Sequence, residues 1–430
     1  MYAGQTDSGV QEVEAAAAAG GGSSVGAAPG GADPALTRGA YVCCCCCTLL
    51  PVLLLPLGLI GALTASGFTG GAGEATVGTK VGLSEVDPLA VCNDGTESGY
   101  YFSPASETAH ERKWLVWLQG GALCADEKGC TARMENTPDW MSSAAWPDSH
   151  EYSGVLEQSD PTFGGWNQAV VEYCTSDLYL GDREASAETF NWHFRGQRVV
   201  KAVLKSLQAK GLRSGDTLVL SGCSAGAMGA TVLCDFVQGW LEPTVTDLQL
   251  ACVLDSPLPV IDVEGLKQAQ PGFGASVRGW LDLWGVRGLL HPGCTEGRSA
   301  ADSWKCLYPE YVVAELSTPW FMSANRFDAF GAALEESGAS MLNDQFDYLS
   351  PFNDPDMNAW GKAQQVVSDG LPTADQPDAA VFQAGCAMHC GMQAPLYGNV
   401  NAGDGTTMRD AIQSCKYLAQ PVDSRSSVQT

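Results

Sequence analysis

TLVLSGCSAGAMGATVLCDF, residues Thr217–Phe236, is the stretch whose reading decides the fold. A short apolar run, Thr217–Leu220, leads into Gly222-Cys223-Ser224-Ala225-Gly226, a G-x-S-x-G sequence, and small and apolar residues then continue at helical spacing. Strand, sharp turn and helix form the setting in which such a serine becomes a nucleophile. The flanking glycines allow the crossing of chain segments, the hydroxyl stands at the top of a sheet, and the next N–H lies at a helix N-terminus. Ser224 is therefore expected to form an acyl-enzyme. In a chain with 50 glycines the pentapeptide alone is a weak signal, and the bland alternative is a Gly/Ser turn between two buried elements. The flanking sequence supplies the rest of the weight.

Upstream, Trp114–Leu118 (WLVWL) reads as a buried strand that runs into Gln119-Gly120-Gly121-Ala122-Leu123-Cys124. A Gly-Gly loop after an early strand can aim backbone N–H groups into a pocket, which is where one oxyanion donor sits in hydrolase folds. Residues 130–165 are polar and irregular and read as loops with a short helix. Gln168–Tyr173 is a further strand. Asn191–Lys210 is amphipathic, with Phe194, Val199, Val200, Val203, Leu204 and Leu207 at three- and four-residue spacing, and predicts a helix stopped by Gly211. Downstream, Leu250–Leu254, Pro319–Ala324 and Ala380–Ala384 read as strands. Strands alternating with helices imply an α/β fold with a mostly parallel sheet covered on both faces, and ligands at the carboxyl ends of its strands.

A serine nucleophile needs a base, and the chain has five histidines. His110 and His150 fall in polar loops, His193 opens the amphipathic segment and His291 precedes Pro292. His389 follows the last strand, between Cys386 and Cys390, in a loop that bridged cysteines would pin to hydrogen-bond tolerance, so it is the best candidate base. The orienting acid is expected between serine and histidine in chain order. Asp328, after a strand, fits, and Asp255 is the second choice.

Lys+Arg 23 against Asp+Glu 49 gives a net charge of −26. That acidity argues against a nucleic-acid partner, whose phosphates need a basic face, and against electrostatic docking on anionic lipid. Residues 1–41, with AAAAAGGGSSVGAAPGGA at 15–32, cannot form a core and are expected to be a disordered tail. Residues 42–65 (VCCCCCTLLPVLLLPLGLIGALTA) carry no charge and are long enough to span a bilayer. They predict a type II signal anchor, with a late signal peptide as the alternative, and in both cases entry into the secretory pathway. Palmitoylation of Cys43–Cys47 is a further reading. Residues 66–86 read as a linker, 87–418 as the catalytic domain and 419–430 as a flexible tail. Twelve cysteines spread beyond residue 90 form an even set, as expected of disulfides in an oxidising compartment. Their spacing is not that of a zinc site, so no metal ion is expected, and ester hydrolysis by a serine nucleophile needs no cofactor.

VCNDGTESGYYF (91–102), WLVWLQGGALC (114–124), WNQAVVEYC (166–174), FRGQRVVKAVL (194–204), SGCSAGAMGA (221–230), SANRFDAFG (323–331) and CAMHCGMQ (386–393) resemble, in order, successive motifs of the pectin acetylesterase/Notum family. The resemblance implies an α/β-hydrolase-like fold with Ser224, Asp328 and His389 as the triad. It places the oxyanion donors on Gly121 and Ala225, with Gly120. Two departures stand out: Gln119 replaces the family's usual Glu, and Ala122 and Leu123 stand where the family usually has a Trp, which in its animal branch lines the acyl pocket. The implied reaction is hydrolysis of an O-acyl ester, with an acylated polysaccharide as the expected substrate. An acylated secreted protein is the alternative, and a catalytically inactive, membrane-tethered binding module is the reading from another class.

Overall fold

In the computed structural model, the residues described are 76–257, 272–286, 288–328, 355–373, 376, 378–386, 388–395 and 397–415. The expected tail at 1–41, the membrane segment at 42–65 and the terminal stretch 419–430 lie outside them. Among the described residues no helix is long and apolar enough to cross a membrane.

Among the described residues the strands are β1 (Thr76–Gly82), β2 (Gly99–Ser103), β3 (Lys113–Leu118), β4 (Ser149–Tyr152), β5 (Asn167–Val171), β6 (Thr217–Cys223), β7 (Gln249–Asp255), β8 (Trp320–Ser323) and β9 (Ala379–Phe382). They form one nine-stranded sheet in the order β4-β1-β2-β5-β3-β6-β7-β8-β9. From β5 to β9 every neighbouring pair is parallel, whereas β4, β1 and β2 form an antiparallel edge joined to β5. β3, β6 and β7 are almost wholly buried, as parallel strands covered on both faces must be. Alternation then divides their side chains between two cores. Val116, Leu118, Leu218, Leu220, Cys252 and Leu254 face one side, where α2 (Gly196–Lys210) and α3 (Ala225–Leu241) cover them. Leu115, Trp117, Val219, Val253, Phe321 and Phe382 face the other, packing against Met392, Met408 and Ile412. The other long helices among the described residues are α1 (Glu127–Asn136), α4 (Phe273–Trp284) and α5 (Pro355–Asp369).

Three expectations need correction. Ordered structure begins inside the stretch read as linker. β1 pairs with β2 through Thr79–Phe102 and with β4 through Thr79–Ser149, so its backbone is satisfied on both sides although its side chains carry little strand signal. The amphipathic helix starts at Gly196, because Phe194 is held in an antiparallel bridge to Arg183 and the Gly196 N–H donates to the buried Asp177 carboxylate at 2.8 Å. The region read as loops at 130–165 also contributes β4. Among the described residues five disulfides join Cys92–Cys174, Cys124–Cys130, Cys223–Cys390, Cys234–Cys252 and Cys294–Cys306; Cys386 and Cys415 are buried.

Candidate active site

Ser224 occupies the turn between β6 and α3 with φ 56° and ψ −122°, a left-handed backbone that costs a non-glycine residue about 1–3 kcal/mol. The turn survives because its surroundings fix it. The Ser224 N–H donates to the Asp255 carbonyl at 2.9 Å, and its carbonyl accepts from the Met228 N–H at 2.9 Å. A Cβ on Gly226 would stand 2.0 Å from the Leu118 carbonyl oxygen, and one on Gly222 2.6 Å from it, so only glycine lets the helix start that close to β3. Ala225, the first residue of α3, brings its N–H to the positive end of the helix.

The Gly-Gly loop lies directly on this turn. A Cβ on Gly120 would meet the Cys223 carbonyl at 2.9 Å and the Ser224 Cβ at 3.0 Å. Gly121 has φ 143° and Ala122 φ 57°, so the loop is bent at both positions. Gln119 anchors it: its N–H donates to the Val171 carbonyl, and its carbonyl accepts from the Tyr179 hydroxyl at 3.0 Å. Its side-chain oxygen accepts from Trp117 Nε1 at 3.1 Å and Gln393 Nε2 at 2.8 Å. Gln119 is thus tied to the loop that carries His389. Ala122 and Leu123 are half-buried. The aromatic rings beside the loop come from elsewhere: Tyr173 stands 3.0 Å and Trp140 3.5 Å from a Cβ built on Gly121.

His389 and Asp328 are brought together, with Nδ1 and Oδ2 2.7 Å apart. The Asp328 segment is laced to the His389 segment by Arg326 N–H to the Ala384 carbonyl, Phe327 N–H to Cys386, and Asn325 Nδ2 to Met388 at 2.8 Å. The Cys223–Cys390 disulfide joins the residue before Ser224 to the residue after His389. Both sulfurs and a ring nitrogen of His389 lie within 4.8 Å of one another, which brings the imidazole to the nucleophile turn. This is the metal-type cluster among the described residues, and its two sulfurs are bonded to each other, so neither is a thiolate ligand.

Asp255 is drawn into a different task. Its carboxylate accepts from the Met392 N–H at 2.8 Å, and the neighbouring Ser256 hydroxyl accepts from the Cys390 N–H at 3.2 Å. Both residues hold the His389 loop to the end of β7. Burial pushes the Asp255 carboxyl up to about 7; the Met392 N–H and His389 oppose the rise and Asp328 adds to it. Burial pushes the His389 imidazole down, but the Asp328 charge and hydrogen bond, together with Asp255, outweigh burial and hold it above its ordinary value. Asp255→Asn preserves an acceptor for Met392, so kcat/KM for a p-nitrophenyl ester is expected to stay within about tenfold, one 1.4 kcal/mol step. A loss in the thousands would assign Asp255 the orienting role.

Tyr179, Gln393, Ser256 and Trp140 were not marked by sequence. Tyr179 hides in an apolar run, and Gln393 carries no chemistry of its own. Only their contacts reveal them.

The family model described as Pectinacetylesterase matches residues 75–422. Among curated proteins, pectin acetylesterase 7 of Arabidopsis thaliana is 28% identical, over 71% of this chain and 78% of its own length. Palmitoleoyl-protein carboxylesterase notum2 of Xenopus laevis is 25% identical, over 70% of this chain and 60% of its own. Pectin acetylesterase 11 of Arabidopsis thaliana is 32% identical, over 57% and 61%. The chain thus spans about three fifths of the length of the latter two. The solved structure of the Wnt deacylase Notum from Drosophila superposes with a TM-score of 0.66 at 25% identity, covering 78% of this chain and 92% of that one.

Proposed function

The chain belongs to the pectinacetylesterase family, and from that premise we propose that it is a serine carboxylesterase acting through Ser224, His389 and Asp328. The observation that carries this reading is the 2.7 Å His389–Asp328 pair clamped by Cys223–Cys390 to the strained Ser224 turn. His389 takes the hydroxyl proton as Ser224 Oγ attacks the acyl carbonyl, and Asp328 fixes the tautomer and stabilises the imidazolium. The Ala225 and Gly121 N–H groups, with Gly120, receive the oxyanion, each donor contributing about 3–4 kcal/mol in the transition state. His389 then protonates the departing alcohol. Water attacks the acyl-enzyme by the same route in reverse, with no cofactor.

The substrate we favour is an O-acetyl ester on an extracellular polysaccharide, a reading supported by the pectin acetylesterase relatives. A net charge of −26 favours a neutral or heavily esterified glycan over a bare polyanion. Removal of a lipid acyl group from a secreted protein is the second reading, supported by the likeness to Notum. The five disulfides support a site of action in the secretory pathway or outside the cell, with membrane attachment through 42–65 as part of the same proposal.

Rates on p-nitrophenyl acetate and p-nitrophenyl octanoate test both. The polysaccharide reading expects kcat/KM for acetate to exceed that for octanoate, and acetate to be released from an acetylated glycan. Preference for octanoate would favour the deacylase, and no hydrolysis of either would leave the inactive binding module.

A further inference from the structure

We propose that Arg133 is the standing positive charge of the oxyanion hole, a positioning residue that acts on the developing oxyanion through the Gly120–Gly121–Ala122 loop. The inference rests on the serine-esterase reading above.

α1 is a mostly exposed helix whose buried residues are Cys130 and Arg133, three apart on one face. The Cys124–Cys130 disulfide ties that face to the end of the Gly-Gly loop. Arg133 is 0% exposed, and its Nε and both Nη atoms make no hydrogen bond among the described residues. The guanidinium lies 5.0 Å from the Trp140 ring centroid and 5.6 Å from that of Tyr173. Nη2 is 3.6 Å from the position a Cβ on Gly121 would take. An unpaired, buried cation therefore stands directly behind the backbone that offers the oxyanion its donor.

Such a placement is expensive. A buried charge without a counterion loses its hydration, and two aromatic faces return only a part of that loss. Burial lowers the Arg133 pKa only to about 10, so the group is a cation at neutral pH. The negative charge it lacks in the resting site arises during the reaction, on the carbonyl oxygen held at Gly121. The guanidinium is buried away from water, so its field reaches the loop with little screening. A charge satisfied only when the oxyanion forms stabilises the transition state more than the bound ester, and so raises kcat rather than lowering KM.

The test uses the full chain with Arg133→Met, Arg133→Lys and Arg133→Ala. Three quantities are read: kcat and KM on p-nitrophenyl acetate, Tm, and inhibition by methylboronic acid, which bonds to the serine as an anionic tetrahedral adduct. Arg133→Met is expected to lower kcat about 10–100-fold, to weaken boronate inhibition by the same factor and to leave KM nearly unchanged. Arg133→Lys, whose charge sits on a shorter and unstacked head, should show the same parallel to a smaller degree. In Arg133→Ala, added guanidinium ion should restore part of kcat. Wild-type kcat in Arg133→Met overturns the proposal. So does a loss that follows Tm, leaves boronate inhibition intact and resists guanidinium, because that pattern belongs to packing alone. Ser224→Ala run alongside separates the two levels: hydrolysis surviving in it would sink the esterase reading itself, whereas an inactive Ser224→Ala beside an unaffected Arg133→Met sinks only this inference.

Discussion

Ser224→Ala lowers kcat on p-nitrophenyl acetate by about 10⁶-fold, the size of effect that removal of a triad nucleophile produces. The loss belongs to the chemistry and not to the fold. The Ser224 side chain makes no capping bond at the start of α3, so alanine forfeits no hydrogen bond there. Alanine also meets the same positive φ that serine does. The two backbone bonds that fix the turn, Ser224 N–H to Asp255 and Met228 N–H to Ser224, do not involve the side chain. Tm is therefore expected to stay near the wild-type value, and thermal denaturation alongside the kinetics checks that the inactive protein is folded. A variant retaining more than about one part in a thousand of kcat would exclude Ser224 as nucleophile, because the oxyanion hole and binding alone leave far less of a triad enzyme's rate.

Asp328→Asn lowers kcat by about 10⁴-fold, since an amide at the Nδ1 of His389 favours the wrong tautomer and cannot neutralise the imidazolium. It also moves the pH profile, and the sign follows from the groups around the ring. His389 works as a base only when neutral, so kcat/KM rises with pH through the imidazole midpoint. In the wild type the Asp328 charge and hydrogen bond, with Asp255, hold that midpoint above the ordinary imidazole value against the opposing effect of burial. Removing Asp328's charge removes the larger upward influence while burial persists, so the midpoint of the residual activity falls. An unchanged midpoint, or a loss no greater than that of Asp255→Asn, would mean that Asp328 does not orient His389.

Much of this site was legible in the chain. The Thr217–Phe236 stretch contains both the buried strand and the start of α3, because its glycines fall where Leu118 crowds the turn. The spacing of Val199, Val203 and Leu207 marked the buried face of α2. The antiparallel edge escaped because β1 and β4 draw their stability from backbone pairing, and glycine, threonine and charged residues carry no period-two pattern. The start of α2 escaped for a related reason: Asp177, far upstream, decides where the helix begins. Chain order admits both aspartates at strand ends, since both follow buried strands and precede His389, and it makes Asp328 the first choice and Asp255 the second. In the structure the Met392 N–H donates to Asp255, whereas His389 contacts Asp328. Arg133 was silent for the same reason, as an arginine in a polar helix that happens to point inward.

The most direct test of Ser224 as the nucleophile is covalent capture. The native chain is treated with a fluorophosphonate, digested, and the modified peptide identified by mass. One adduct per chain is expected, on the peptide containing Ser224, with hydrolytic activity lost in proportion to labelling and no adduct in His389→Ala. An adduct on another residue, or full activity persisting in fully labelled protein, would contradict it.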